Sequence, residues 1–345
     1  MAITHTFVDY IPSIFLGAPD EDNFLSILPG HDMLLKGKAY SAVIYTLYGS
    51  AAAISIILLL TPLFIYTLPF LYKYIPSIIP YILLIASIFL IFSEKQSKIW
   101  AIIIFLLAGL LGATAFNLPT NQPLLPLFTG LFGISSLITS IIKKQEIPKQ
   151  KIQKIKNIRI KLKSLTKTLF ASLLASPLAS FLPGLGSGQA AVIGSEVIGD
   201  LKQKEFLILL GAINTIVMGL SFITLYSVGK ARTGTSVAVQ QLTTLTFSNL
   251  MCVLAAIFIS GITAFFITIY LAKLASKHIH RVNYKYLSYS IIIILFILTI
   301  YFSHFYGLLI LIVASLLGFT TIQLGIKRIH LMGALMLPII IYYIF

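Results

Sequence analysis

Several apolar runs in this chain are long enough to cross a lipid bilayer, and this limits the fold more than any other feature. A hydrocarbon core of about 30 Å takes roughly 20 apolar residues in helical form. Runs of that order occur at Ala39 to Tyr66, Ile99 to Phe116, Phe206 to Val228, Leu250 to Ala272 and Ser288 to Phe302. Pro76 to Phe92, Pro123 to Ile142, Phe305 to Leu324 and a last stretch from Ile329 to the C-terminus extend the series to nine expected spans. Lipid cannot satisfy backbone N–H and C=O groups, and the runs lack the alternation of barrel strands, so each span is expected as a helix. The expected class is all-α: a polytopic protein of the cell membrane with about nine transmembrane helices plus re-entrant hairpins.

Composition supports this reading. With 58% apolar and only 10% charged residues among 345, a soluble domain would lack the polar surface to cover itself. A soluble catalytic domain is therefore excluded. The N-terminus lacks a basic n-region and carries Asp9 early, so no cleavable signal peptide is expected. The single cysteine, Cys252, rules out an intrachain disulfide or a thiolate metal cluster and is expected to pack as a core thiol.

The net charge of +15 is concentrated in one segment, Lys143 to Lys167. A basic segment between hydrophobic stretches reads as a cytoplasmic loop, which can also touch anionic membrane lipids. No aromatic side chain interrupts it, so nucleic acid is not an expected partner. The loop divides the chain into an N-terminal membrane half (1–142), the basic loop (143–168) and a C-terminal membrane half (169–345).

The two halves open alike, which suggests a pseudo-repeat. Lys36-Gly37-Lys38 aligns with Lys202-Gln203-Lys204, and each basic pair leads into a full-length span. Upstream of each lie two short apolar arms around a turn. In the first half the arms are Phe7 to Ala18 and Phe24 to Leu35, around Pro19 to Asn23. In the second they are Leu169 to Leu182 and Ala190 to Ile198, around Pro183 to Gln189. Paired, interrupted short segments in two halves point to a transporter binding site, and arms this short fit re-entrant hairpins.

The second turn, Pro183-Gly184-Leu185-Gly186-Ser187-Gly188-Gln189, carries glycines at alternate positions. Glycine allows a sharp turn and close approach to a ligand, and the helix beginning there aims its positive dipole end at the tip. That geometry suits an anion, with Ser187 and Gln189 adding a hydroxyl and an amide. A glycine-mediated helix crossing would use the same residues. Glu196 and Asp200 follow on one helical face. Glu196 is a candidate proton carrier or ligand for a coupling cation, and Asp200 a solvated partner of Lys202 and Lys204. Asp20, Glu21 and Asp22 suit a cation or a proton relay if their turn is buried, and an ordinary loop if it is not. Between two spans, Arg232 can clamp a carboxylate with its two-donor fork, with nearby hydroxyls completing a polar cavity; alternatively it lies in a surface loop. Asn117 to Pro123 is a weaker candidate of the same kind. The six histidines are scattered, so neither a catalytic constellation nor a metal site is expected.

Ile11-Pro12-Ser13-Ile14-Phe15-Leu16-Gly17-Ala18-Pro19, continuing to Leu28-Pro29-Gly30-His31-Asp32-Met33 and Lys36-Gly37-Lys38-Ala39, resembles the permease family TctA of the tripartite tricarboxylate transporters, in its shorter, archaeal-type branch. Leu182-Pro183-Gly184-Leu185-Gly186 and Pro123 to Ile134 are similar to further stretches of that family. The resemblance implies a secondary permease for small organic anions, typically carboxylates. It also implies an ion gradient as the driving force, with Na⁺ or H⁺ as the coupling cation and no other cofactor. A small membrane subunit and an extracytoplasmic binding protein are the implied partners, although the short branch need not use the latter. Pro183, Gly184 and Gly186 are implied as site-lining, with Gly17 to Pro19 as their counterpart. The turn chemistry leaves two alternatives open, a translocase of lipid-linked phosphates and a non-catalytic membrane assembly protein.

Overall fold

A computed structural model describes residues 1–16, 27–94, 96–143, 147–181, 186–199 and 201–344; within these, the side chains of 27, 28, 75–77, 79, 178, 181, 189, 196, 197 and 284 are not described. The described chain is helical. Two short helices, α1 (Ala2–Val8) and α2 (Tyr10–Leu16), meet at Asp9, and α3 (Ile27–Leu35) follows. Next come α4 (Ala39–Phe92), α5 (Lys98–Asn117) and α6 (Leu124–Phe128), a π-helical stretch at Thr129–Ile134, and α7 (Ser135–Ile142). After the basic segment come α8 (Leu162–Phe181), α9 (Ser187–Ile198), α10 (Gln203–Val228) and α11 (Gly234–Leu242). Then α12 (Phe247–His278), α13 (Tyr284–Gln323), a short 3₁₀ turn at Arg328–Met332 and α14 (Gly333–Ile344) complete the chain.

Among the described residues, six helices are long and apolar enough to cross a membrane, and Pro80–Phe92 and Arg328–Ile344 are shorter apolar helices. These lengths alone do not give the nine spans expected from the sequence. Within α13 the two spans expected from the sequence form one continuous stretch interrupted at His304, a non-glycine residue with φ of 53°. A Cβ on Gly307 would sit 3.5 Å from Cγ2 of Thr299. Eight residues of straight helix would separate those positions by about 12 Å, so the chain folds back at His304.

The buried side chains form two cores. The first joins α1 to α3, the Ala39 to Leu68 part of α4, α8, α9, α10 and α12. The second joins the Leu83 to Leu90 part of α4 to α5, α6, the π-helical stretch, the Ile310 to Ala314 part of α13, and α14. Phe206, at the start of α10, packs against both, so the cores lie side by side. Each core draws on residues from before and after the basic segment.

At the centre of the first core α4 and α10 run parallel. Lys204 lies over the Tyr45 ring, the Ser50 hydroxyl donates to the Gly211 carbonyl 3.1 Å away, and Gly219 rests on Ile57. A side chain at Gly49 would collide with the Ile208 carbonyl, and one at Gly211 with that of Thr46. Small residues bring the two backbones together as in other membrane helix pairs. The window of α10 that fits a membrane is 83% buried, whereas that of α12 is 28% buried. Thus α10 is enclosed by protein, while α12 turns Phe258, Ile259, Ile262 and Phe266 outward, as lipid contact requires. Cys252 is likewise exposed on α12 rather than packed, because it falls on that outward face.

The basic segment is docked along part of its length. Gln150 accepts from the N–H of Ala39 and donates to the carbonyl of Leu34, so one side chain bridges the end of α3 and the start of α4. Tyr48 donates to the Ile158 carbonyl from α4. The last part of the segment expected as loop is already helical, since α8 begins at Leu162. At 20 residues, or about 30 Å, α8 is longer than the short arm expected from Leu169, and only the 12-residue α9 is too short to cross.

Candidate functional site

Polar side chains buried along α10 mark where the two halves meet. Asn214 and Thr215 lie near the midpoint of this helix, about 17 Å from its start, and both are buried. Their partners come from different elements. Ser187, the first residue of α9, places its hydroxyl 3.4 Å from Oδ1 of Asn214, and the Thr215 hydroxyl lies 3.2 Å from that of Thr6 in α1. Thus the tip of the second hairpin and the first helix of the chain converge at one level of the most enclosed span. Buried polar groups in a membrane protein are concentrated where function demands them.

The arms of the second hairpin are antiparallel, with Gly194 packed on Ala171 and Ala175. Ser187 and Gly188 are buried in the first turn of α9, where helix geometry directs the backbone N–H groups and the positive dipole end toward the tip. Helix α9 has three turns behind that end.

A second element reaches this level from the opposite end of α10. Gly229 ends α10 in the left-handed region (φ 72°), a conformation that favours glycine, and the chain then doubles back. The Thr233 hydroxyl lies 3.1 Å from that of Ser221, and the Thr235 hydroxyl lies 3.7 Å from the Met218 sulfur. These contacts bring the loop back along α10 by about 10 to 15 Å. The fully buried Ser236 hydroxyl, accepting from the N–H groups of Arg232 and Thr233, fixes the loop, as does a 3.0 Å bond from Gln240 to the Gly229 carbonyl.

This loop carries Arg232 to the end of α8. Its Nε donates to the Ser180 carbonyl at 2.7 Å, which places a cation at the negative pole of α8 beside the second hairpin. Burial lowers the Arg232 pKa from its ordinary value; Tyr72 and Tyr343 partly offset this, and the guanidinium stays cationic near neutral pH. Among the described residues its Nη1 and Nη2 donate to no protein group, and the buried Ser180 hydroxyl beside it has no partner. The site therefore combines a helix N-terminus, an open two-donor fork and an unsatisfied hydroxyl. An apolar cavity of about 760 Å³, lined in part by Thr4, His5, Val8, Met218 and Thr235, adjoins the loop.

Of the residues expected from the sequence, Gly186, Ser187, Gly188 and Arg232 are brought to this region. Pro183, Gly184, Gly17, Pro19, Asp20, Asp22 and Asp200 lie outside the described residues, as do the side chains of Gln189 and Glu196. Ser180, Asn214, Thr215 and Thr6 escaped the sequence reading. Asn214 carried a usable signal, an amide at the centre of an apolar run. Asp9 was likewise passed over as a site residue: it is buried at the junction of α1 and α2, and its carboxylate lies 4.0 Å from His5. Among the described residues no three or more His, Cys, Asp or Glu side chains cluster as metal ligands.

Residues 1–333 match the family described as the tripartite tricarboxylate transporter TctA family. An uncharacterized protein of Methanocaldococcus jannaschii is 29% identical over an alignment covering 100% of this chain and 87% of that protein. No solved structure matches the chain.

Proposed function

The chain belongs to the tripartite tricarboxylate transporter TctA family, and on that premise we propose that it is a secondary permease for small organic anions, with carboxylates as the substrate class. The observation that carries this reading is the meeting of Arg232 with the second hairpin. A carboxylate between them would take two bonds from the guanidinium fork and further bonds from the Ser180 hydroxyl and the first turn of α9. Backbone that departs from helix at membrane depth is tolerated where it lines a cavity, as the Gly229 to Ser236 loop does here.

Pro183, Gly184, Gly186 and Gln189 complete the second tip in this reading, and Gly17 and Pro19 form its counterpart in the first. Ion coupling, to Na⁺ or H⁺, is assigned to Glu196 or to the Asp20 and Asp22 group, with Asp9 as a further buried carboxylate beside the site. The family is the permease part of tripartite systems, so a small membrane subunit and an extracytoplasmic binding protein are the proposed partners. The basic segment is assigned to the cytoplasmic side. Lys36, Lys38, Lys202 and Lys204 join it at the end where α4 and α10 begin, and Lys230 and Arg232 follow the other end of α10. That distribution fits the positive-inside rule for the plasma membrane.

Uptake of labelled di- and tricarboxylates into proteoliposomes, driven by a Na⁺ or proton gradient, tests the proposal. The wild type should accumulate at least one of them. Asn214→Ala and Ser187→Ala should each lower uptake by about tenfold, the loss expected for a mispositioned charged or polar contact worth roughly 1.4 kcal/mol. No gradient-dependent uptake of any carboxylate, from protein shown to be folded, would remove the reading.

A further inference from the structure

The second core contains an ionisable cluster that the anion site does not use. Glu94, just after α4, is 4% exposed, and His330, in the turn before α14, is 1% exposed. Their side chains meet at 3.1 Å, Nε2 to Oε2. The carboxylate also accepts from two backbone N–H groups, that of Gln96 at 3.1 Å and that of Lys327 at 3.0 Å. Burial alone would raise the Glu94 pKa; these N–H groups and His330 outweigh that and hold it below its ordinary value. The carboxylate is therefore ionised, and the imidazole that donates to it through Nε2 is neutral. The other ring nitrogen, Nδ1, is buried without a partner. A proton arriving there would create a buried N–H with no acceptor, next to positive charge.

That positive charge is identifiable. The Lys327 ammonium donates to the Ser93 carbonyl at 3.0 Å, and Arg328 is turned away onto the π-helical stretch and α7. Lys98, in the first turn of α5, lies over the Phe92 ring. Ser135 and Ser136, on the packed α7, are neutral and engaged by Arg328. Lys95 lies outside the described residues. Proton uptake by the ring strengthens its attraction to Glu94, but the burial of a charged ring, the Nδ1–H left without an acceptor and the nearby Lys327 ammonium outweigh that gain, and apolar residues of similar size would be the less costly way to fill such a space.

We propose that Glu94 and His330 form a proton-binding site that fastens the α4–α5 connection to the Lys327–Met332 segment at neutral pH and releases it when a proton binds. The left-handed turn at Gly325 (φ 69°), next to Gln96, marks where the segment would pivot. This inference concerns the second core and involves no substrate, so it stands or falls separately from the anion permease.

The only tryptophan, Trp100, reports on this contact, because it lies in the first turn of α5 and its N–H bonds the Ser97 cap. Fluorescence of the purified full chain in nanodiscs should change cooperatively, with a midpoint between about pH 4 and 7, the range bounded by ordinary carboxyl and imidazole values. His330→Gln keeps a donor for Glu94 and removes the titrating ring, so it should abolish the transition or move it by more than about one pH unit. No transition in the wild type, or an unchanged midpoint in the variant, overturns the proposal. Should His330→Gln fail to fold, hydrogen exchange on the wild type decides instead. After correction for intrinsic rates, amides 96–98 and 327–332 should exchange several-fold faster at pH 5 than at pH 7.5, and equal protection overturns the proposal.

Discussion

Arg232 and Arg328 are the same side chain in two opposite settings. Arg328 is 5% exposed; Nη1 donates to Ser136 at 2.7 Å, Nη2 is bonded to the Phe132 carbonyl, and the guanidinium lies over the Phe132 ring. The π-helical geometry of Thr129–Ile134 disturbs the regular ladder, and Arg328 supplies donors to its carbonyls. Arg232 donates to one carbonyl through Nε and leaves its fork unoccupied by protein. Arg328 spends its fork on the protein and leaves only Nε without a partner, which holds two elements together; the partly buried Arg232 does the reverse and leaves its fork open for the proposed anion. The contrast separates a structural cation from the proposed binding cation by the fate of the fork.

The largest expected effect tests the closed member of the pair. Arg328→Met removes the donors to the Leu131 and Phe132 carbonyls and strips the second core of a balancing charge. Removing one partner from a buried charged arrangement costs about 3 to 5 kcal/mol, enough to exhaust much of a typical domain's stability. Size-exclusion profiles in detergent should show little monodisperse protein. A variant as stable as the wild type would erase the distinction between the two arginines.

Arg232→Lys should have the opposite signature. The charge remains and the planar fork is lost, so carboxylate uptake should fall by about 10- to 100-fold, as the loss of a bidentate pair worth roughly 1.5 to 3 kcal/mol implies. Melting temperature should change little, because among the described residues only the bond to Ser180 depends on the Arg232 side chain. Unchanged uptake would place the anion elsewhere; loss of folding with uptake would make Arg232 a second Arg328.

Parts of this contrast were legible in the sequence and parts were not. Long apolar runs dictate helices in lipid wherever they fall, and the tip at Gly186 to Gly188 announces itself through glycine spacing. Arg232 was visible because a basic residue between two apolar runs is conspicuous. Its direction was not, since the same letters describe a surface loop, and the return of that loop along α10 rests on single contacts such as Thr235 to Met218. Glu94, His330 and Arg328 draw no notice in the sequence, because Glu94 meets His330 across 236 positions and Arg328 meets Ser136 across 192, contacts that only folding makes. The reversal at His304 had no glycine or proline of its own to mark it, so the sequence suggested two spans without showing that they form a folded-back pair. The start of α8 was misplaced for a related reason: its first turns carry lysines that look like loop, while Leu165 and Leu169 on the same helix pack against the first core.

A third charged contact lies between these extremes and should give the smallest effect. Asp32, in α3, accepts from Lys36 at 2.6 Å and from Gln203, at the start of α10, at 2.7 Å, and its side chain is 39% exposed. Burial raises its pKa, but these bonds prevail and keep it below the ordinary carboxylate value. A lowered pKa adds stability above the unfolded-state value near 4, and that stability is lost as acid protonates the folded carboxylate. An exposed pair contributes only a few tenths of a kcal/mol, so Asp32→Asn should lower the melting temperature by about 1 °C or less at pH 7. The gap between variant and wild type should then close as pH falls from about 5 to about 3. A gap of many degrees, or one that widens in acid, would mean that the base of the first hairpin carries a buried charge of the Arg328 kind rather than a solvent-facing clasp.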